Sequence, residues 1–128
     1  MSEKRDWESL KAAALAVRSH AYAPYSNFTV GAALSVGENI FVGCNVENVS
    51  YPVGMCAERG AIAAMVAAGF TTPDALVVVA GPVVTPCGMC RQALAEFAPS
   101  LPVLLVGADT GEQTETNLES LLPGAFTF

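Results

Sequence analysis

The order of apolar segments predicts an α/β protein, a three-layer α/β/α sandwich built on a mixed sheet of about five strands. Three observations lead there. A helical repeat opens the chain, and two alternating segments joined by a tight turn then form a hairpin. Two short, almost wholly apolar segments follow, with a helical stretch between them, and this implies a parallel crossover unit. Antiparallel hairpin and parallel crossover in one sheet make it mixed. The 128 residues fit a single domain.

The elements follow in chain order. Asp6 suits an N-cap, with Glu8 in the first turn to favour the helix dipole. Trp7, Leu10, Ala14, Val17 and Ala21 recur at helical spacing, so residues 7–21 read as an amphipathic helix, closed by Pro24. Residues 28–36 read as a strand, Gly37-Glu38-Asn39 as a turn, and residues 40–46 as the returning strand. Residues 47–55 form a polar loop containing Pro52 and Gly54. Residues 56–68, rich in Ala, read as a helix stopped by Gly69. Residues 75–80 are a strand covered on both faces. Residues 84–87 are a loop, residues 88–97 a helix, and residues 102–106 a second buried strand. Residues 107–117 are polar, with room for one edge strand. Residues 118–122 are a short helix broken by Pro123-Gly124.

Composition narrows the partners. Six Lys and Arg against twelve Asp and Glu leave a net charge of −6. A polyanion is bound through a basic face that displaces counterions, so nucleic acid polymers and anionic membranes are excluded as partners. A small neutral ligand fits. No segment approaches the roughly 18 continuous apolar residues of a membrane helix. The start, Met1 to Asp6, is polar, with no apolar core of a signal peptide. The cytoplasm is the expected compartment. A hydrophobic fraction of 52%, much of it Ala and Val, suits a subunit that buries surface in an oligomer.

The chemistry concentrates at Cys56-Ala57-Glu58 and, twenty-seven residues later, Pro86-Cys87-Gly88-Met89-Cys90. In a reducing compartment this spacing favours metal binding or redox work over disulfides. Each half lies where a loop enters a helix, and unpaired N–H groups there stabilise thiolate over thiol. Three thiolates leave one tetrahedral position on zinc open, as a catalytic site requires. Cys44 is either a fourth ligand, which would close the site as a structural zinc module, or a small buried hydrophobe. His20, the sole histidine, lies on the first helix, away from the cysteines. Glu58 can reach a metal-held water without being a ligand, which suits a proton shuttle. Zinc with three thiolates carries a net charge of −1. Arg59 is either the side chain that offsets it from beside the sulfurs or a surface helix residue. A thioredoxin-type redox pair would leave Cys56-Ala57-Glu58 unexplained.

Read together, these segments resemble the homotetrameric zinc-dependent cytidine deaminases, over nearly the whole chain. The resemblance runs from Tyr22-Ala23-Pro24-Tyr25-Ser26-Asn27-Phe28 through Val30-Gly31-Ala32-Ala33-Leu34 and Gly43-Cys44-Asn45-Val46-Glu47-Asn48. It continues through Cys56-Ala57-Glu58-Arg59 and Pro86-Cys87-Gly88-Met89-Cys90-Arg91-Gln92 to Leu121-Leu122-Pro123-Gly124-Ala125-Phe126. It implies hydrolytic deamination of cytidine and deoxycytidine, with one zinc per subunit on Cys56, Cys87 and Cys90, and with Glu58 moving the protons. Ala57 would offer backbone contacts to the base, Phe28 would pack on the ring, and Asn45 and Glu47 would bind the ribose. Tyr51 and Phe126 match aromatics that reach a pocket across a subunit interface. Blasticidin deaminases share the zinc motif, and Asn45-Val46-Glu47-Asn48 favours the nucleoside enzyme over a deaminase of another aminated heterocycle.

Overall fold

The computed structural model describes residues 6–128, so the polar start before Asp6 lies outside the described residues. Five strands form one sheet in the order β2-β1-β3-β4-β5. The strands are β1 (Gly31–Val36), β2 (Asn39–Cys44), β3 (Ala75–Ala80), β4 (Pro102–Gly107) and β5 (Gln113–Asn117). The pairs β1–β2, β1–β3 and β4–β5 are antiparallel, and β3–β4 is parallel. The helices are α1 (Trp7–Arg18), α2 (Ala57–Ala67), α3 (Gly88–Ala95) and α4 (Leu118–Leu121). The expected mixed five-stranded sandwich is the fold observed.

Strand alternation sorts the core into two layers. Ala33, Val77, Val79 and Leu104 face α1 and pack with Leu10 and Ala14. Ala32, Leu34, Leu76, Val78, Val103 and Leu105 face the other way, onto Ala57, Ala61 and Met65 of α2 and Leu94 of α3. β3 is buried at all six residues, as its unbroken apolar run requires. Glycine brings both helical layers close. A Cβ at Gly31 would overlap the Ala14 carbonyl, and one at Gly43 would overlap Ala57 O and Ala61 N. The first turn of α2 therefore rests directly on the end of β2.

Several boundaries moved. α1 ends at Arg18, not residue 21, because Tyr22 N–H donates to Asn45 O and Tyr22 pairs with Val46. Its expected cap is present: Ser9 N and Ser9 Oγ both donate to the Asp6 carboxylate, at 3.1 and 2.7 Å. β1 begins at Gly31, not residue 28. Ahead of it the Asn45 side chain takes the place of a ladder partner, accepting from Val30 N at 2.8 Å and donating to Phe28 O at 2.8 Å. β2 ends at Cys44, and Val46 continues only as isolated bridges to Tyr22 and Met55. The 47–55 loop contains a 3₁₀ turn at Tyr51–Val53. α3 is two residues shorter than expected, and the polar stretch 107–117 does carry the edge strand β5. Among the described residues no helix is long and apolar enough to cross a membrane.

Candidate metal centre and substrate cleft

The two cysteine motifs meet because β1, β3 and β4 set α2 and α3 side by side on one face of the sheet. Cys56 and Cys87 are the N-cap residues of α2 and α3, and Cys90 lies in the first turn of α3. Neither N-cap side chain bonds its own helix, so both sulfurs are free to turn toward each other. Cys56 Sγ lies 3.7 Å from Cys87 Sγ, which lies 3.5 Å from Cys90 Sγ. All three sulfurs fall within 4.8 Å of one another. Sulfurs bound to tetrahedral zinc at about 2.3 Å sit roughly 3.7 Å apart. The trio therefore fits such an ion with little movement.

Electrostatics agrees with the spacing. The Cys56 thiol is pushed down to about 5, chiefly by a hydrogen bond from Cys90 and then by the guanidinium of Arg59, against the opposing effect of burial. Cys90 moves the other way, held up by its bond to Cys56 and by burial. The cluster thus carries thiolate at neutral pH, the form a metal binds. Arg59 Nε is buried with no hydrogen-bond partner among the described residues, and Arg59 Nη2 reaches only Gly54 O, at 3.5 Å. The Arg59 guanidinium interacts with the Cys56 and Cys90 sulfurs, and its side chain is partly buried rather than on the open surface.

Glu58 lies on the buried face of α2 with Ala61 and Met65 and is only 4% exposed. Burial raises its carboxyl above the ordinary range, and the neighbouring Cys56 thiolate raises it further. A raised carboxyl pKa is the direction that a proton-shuttling group needs.

Cys44 does not join the cluster. Register pairs it with Gly31, on the α1 face of the sheet, whereas its neighbour Gly43 faces α2. The two faces of a sheet are separated by the backbone, so Cys44 cannot close the metal's fourth position. It is a half-buried free thiol, more exposed than the core hydrophobe expected.

A cleft of about 850 Å³ opens over the sulfurs. Cys56, Cys87 and Arg59 line one end, and Asn45, Glu47, Tyr51 and Met89 line the rest. Glu58, Ala57 and Cys90 lie buried beside this lining, Ala57 within the apolar core. Phe28 stands at the edge of the same loop system and is 40% exposed. Tyr51 is 92% exposed. Phe126 is not in the lining; its ring meets Phe128 edge-on at 5.2 Å, and both are exposed.

The cleft also uses residues whose roles the chain alone did not disclose. The Glu47 carboxylate accepts from Tyr25 N at 3.0 Å, from Ser26 N at 3.2 Å, and from the Ser26 hydroxyl. The Ser26 hydroxyl oxygen in turn accepts from Phe28 N at 2.9 Å. Ser26 thus joins the Glu47 carboxylate to the loop bearing Phe28, and its hydroxyl bond is the main cause of the lowered Glu47 pKa. Asn27, with φ of 59°, makes the left-handed turn between them. Residues 25–27 fall between the expected helix and the strand expected from residue 28, and the one available signal is the pair Ser26-Asn27, both turn formers.

The family model for the cytidine and deoxycytidylate deaminase zinc-binding region matches residues 4–105. A cytidine deaminase of Sporosarcina psychrophila is 47% identical over 127 residues, covering 95% of this chain and 92% of its own. The crystal structure of a cytidine deaminase from Burkholderia pseudomallei superposes with a TM-score of 0.88 at 43% identity, covering 98% of this chain and all of that one. A blasticidin-S deaminase of Bacillus cereus is more distant, 34% identical over 110 residues, covering 77% of this chain and 76% of its own. With three facing sulfurs, a buried carboxyl between two helix starts and a match over most of its length, the chain belongs to the cytidine and deoxycytidylate deaminase zinc-binding family.

Proposed function

We propose that this protein hydrolyses cytidine and deoxycytidine to uridine and deoxyuridine with release of ammonia, as a zinc enzyme of pyrimidine salvage. The observation that carries this is the buried Glu58, its carboxyl pKa raised by burial, beside three sulfurs spaced for one zinc ion. Cys56, Cys87 and Cys90 hold the metal. Bound there, zinc supplies Lewis-acid activation of water at neutral pH.

Everything else belongs to the chain's own residues. Glu58 accepts a proton from the attacking water and returns it to the pyrimidine ring, then helps protonate the amino group as it leaves as ammonia. The reaction consumes one water and exchanges the ring's amino group for oxygen. Arg59 offsets the surplus negative charge of three thiolates. Ala57 presents its backbone to the base, and Phe28 packs against the ring.

Glu47, ionised and already fixed by three donors, accepts from the sugar 3′-hydroxyl through its remaining lone pairs. Asn45 spends one donor and one acceptor on Val30 and Phe28, which leaves one of each for a hydroxyl. Among the described residues Arg59 is the only cationic one in the cleft lining, and that charge faces the sulfurs. A 5′-phosphate therefore finds no partner, and the nucleoside is preferred to its monophosphate. Blasticidin lacks the sugar hydroxyl that Glu47 is set to meet, which places it behind the nucleosides.

The 128 residues act as one catalytic domain, in a cytoplasmic homotetramer that binds neither nucleic acid polymers nor membranes. The exposed Tyr51 and Phe126 complete a neighbouring subunit's pocket in that tetramer. The test is direct: zinc-loaded protein with cytidine, deoxycytidine, deoxycytidine monophosphate, cytosine and blasticidin S, followed by the ultraviolet change to the deaminated product. Conversion of the two nucleosides well ahead of the others is the expected result. Folded, zinc-loaded protein that leaves both nucleosides unchanged overturns the assignment.

A further inference from the structure

The most exposed of the three cysteines stands on the least regular backbone. Cys87 follows residues 83–86, which belong to neither helix nor strand, whereas Cys56 is backed by the contact of α2 with Gly43, and Cys90 is buried inside α3. A metal ligand on an irregular loop needs support from elsewhere, and one side chain supplies it. Arg91 donates from all three of its guanidinium nitrogens: Nε to Pro86 O at 2.7 Å, Nη2 to Thr85 Oγ1 at 3.0 Å, and Nη1 to Leu121 O at 2.6 Å. Two of these acceptors are the residues just before Cys87. The third is an end carbonyl of α4, a position that attracts a cation.

The far side of this clamp is anchored. α4 is capped by Asn117, whose Oδ1 accepts from Ser120 N at 2.8 Å. Its first residue, Leu118, is fully buried and donates its N–H to Leu101 O. Arg91 therefore ties the Cys87 loop to an element fixed in the core.

We propose that Arg91 is a positioning residue for Cys87, setting that sulfur at its distance from Cys56 and Cys90 through a rigid, planar fork. The assignment rests on the reading of the three cysteines as zinc ligands. Lysine has the charge but not the fork, and one ammonium cannot span three acceptors held in different directions. A structural role alone would lower the melting temperature and leave the metal's hold intact in folded protein. A positioning role changes the metal's hold even when the fold is whole.

The experiment follows zinc release to a colorimetric chelator from wild type, Arg91→Lys, Arg91→Gln and Cys87→Ala. It is run at a temperature where circular dichroism shows every sample folded. Arg91→Lys and Arg91→Gln should both hold zinc about 10- to 100-fold less well than wild type. With cobalt in place of zinc, their thiolate charge-transfer bands should shift. Folded Arg91 variants with wild-type release and wild-type cobalt spectra overturn the proposal, whatever their melting temperatures. If neither variant folds, Thr85→Val, which removes only the Nη2 bond, takes their place. A few-fold faster release from it supports the clamp, and wild-type release refutes it. Cys87→Ala separates the two levels: equal zinc in it and in wild type fails the ligand assignment itself. Zinc lost in Cys87→Ala but held normally in the Arg91 variants fails only the clamp.

Discussion

The two ends of the cleft are built on different plans. The sulfur end joins two helix starts 31 positions apart in sequence, and within each half its groups are near neighbours: Glu58 two residues after Cys56, Cys90 three after Cys87. The other end, proposed above to hold the sugar, is assembled from irregular loop segments 15 to 22 positions apart. Glu47, just past the end of β2, meets Tyr25 and Ser26, and Asn45 meets residues 28 and 30. At the first end, burial and helix N-termini adjust charge on groups that regular structure already holds. At the second, polar side chains hold the loop itself. Substitutions should therefore act on chemistry at one end and on binding and loop order at the other.

The largest expected effect is at the sulfur end. Glu58→Gln keeps the shape of the side chain but cannot exchange protons, so kcat should fall by about 10²- to 10⁴-fold with zinc content unchanged. Metal analysis of the same sample checks both halves. Normal turnover would remove Glu58 from the proton path.

Glu47→Gln should strike binding. Losing the charged acceptor is expected to lower kcat/KM by about 10- to 100-fold, mostly through KM. An effect confined to kcat, with KM unchanged, would erase the contrast between the two ends.

Ser26→Ala is a finer probe of the same end. Glu47 has a folded-state pKa below its unfolded one, chiefly through the Ser26 hydroxyl. Its contribution to stability is present above the unfolded value and is lost as pH falls through the folded one. Without that hydroxyl the Glu47 titration should move up toward an ordinary carboxyl, and the acid-side loss of loop order should begin at higher pH. Carboxyl-carbon NMR of both proteins measures the shift, and coincident titration curves would show that the hydroxyl does not matter. A few-fold loss in kcat/KM should accompany it.

The smallest effect belongs to Cys44→Ser. On the α1 face of the sheet it should leave zinc content and activity at wild-type levels. Loss of zinc would restore the closed, structural site.

Much of this could be read along the chain. The hairpin, the all-apolar β3 and the helix after each cysteine motif are local patterns, and all appear in the structure within a few residues. The misplaced end of α1 and start of β1 share one cause. At Tyr22, Phe28 and Val30 the backbone bonds to Asn45, many positions away, and local periodicity contains no trace of a distant partner. Cys44 shows the same gap: its spacing from the other cysteines left it open as a ligand, and only strand register put the sheet between them.

Amino-acid order by itself determined the metal-binding character of the site, the carboxylate beside it and the layered fold. These rest on short-range chemistry, namely thiolates at helix starts and apolar periodicity. Only the tertiary structure decided that Cys44 faces away, that Ser26 holds Glu47, and that Arg91 braces the Cys87 loop against α4. Each depends on groups brought together by the sheet from distant parts of the chain, and the geometry of such meetings is set by packing, not by spacing.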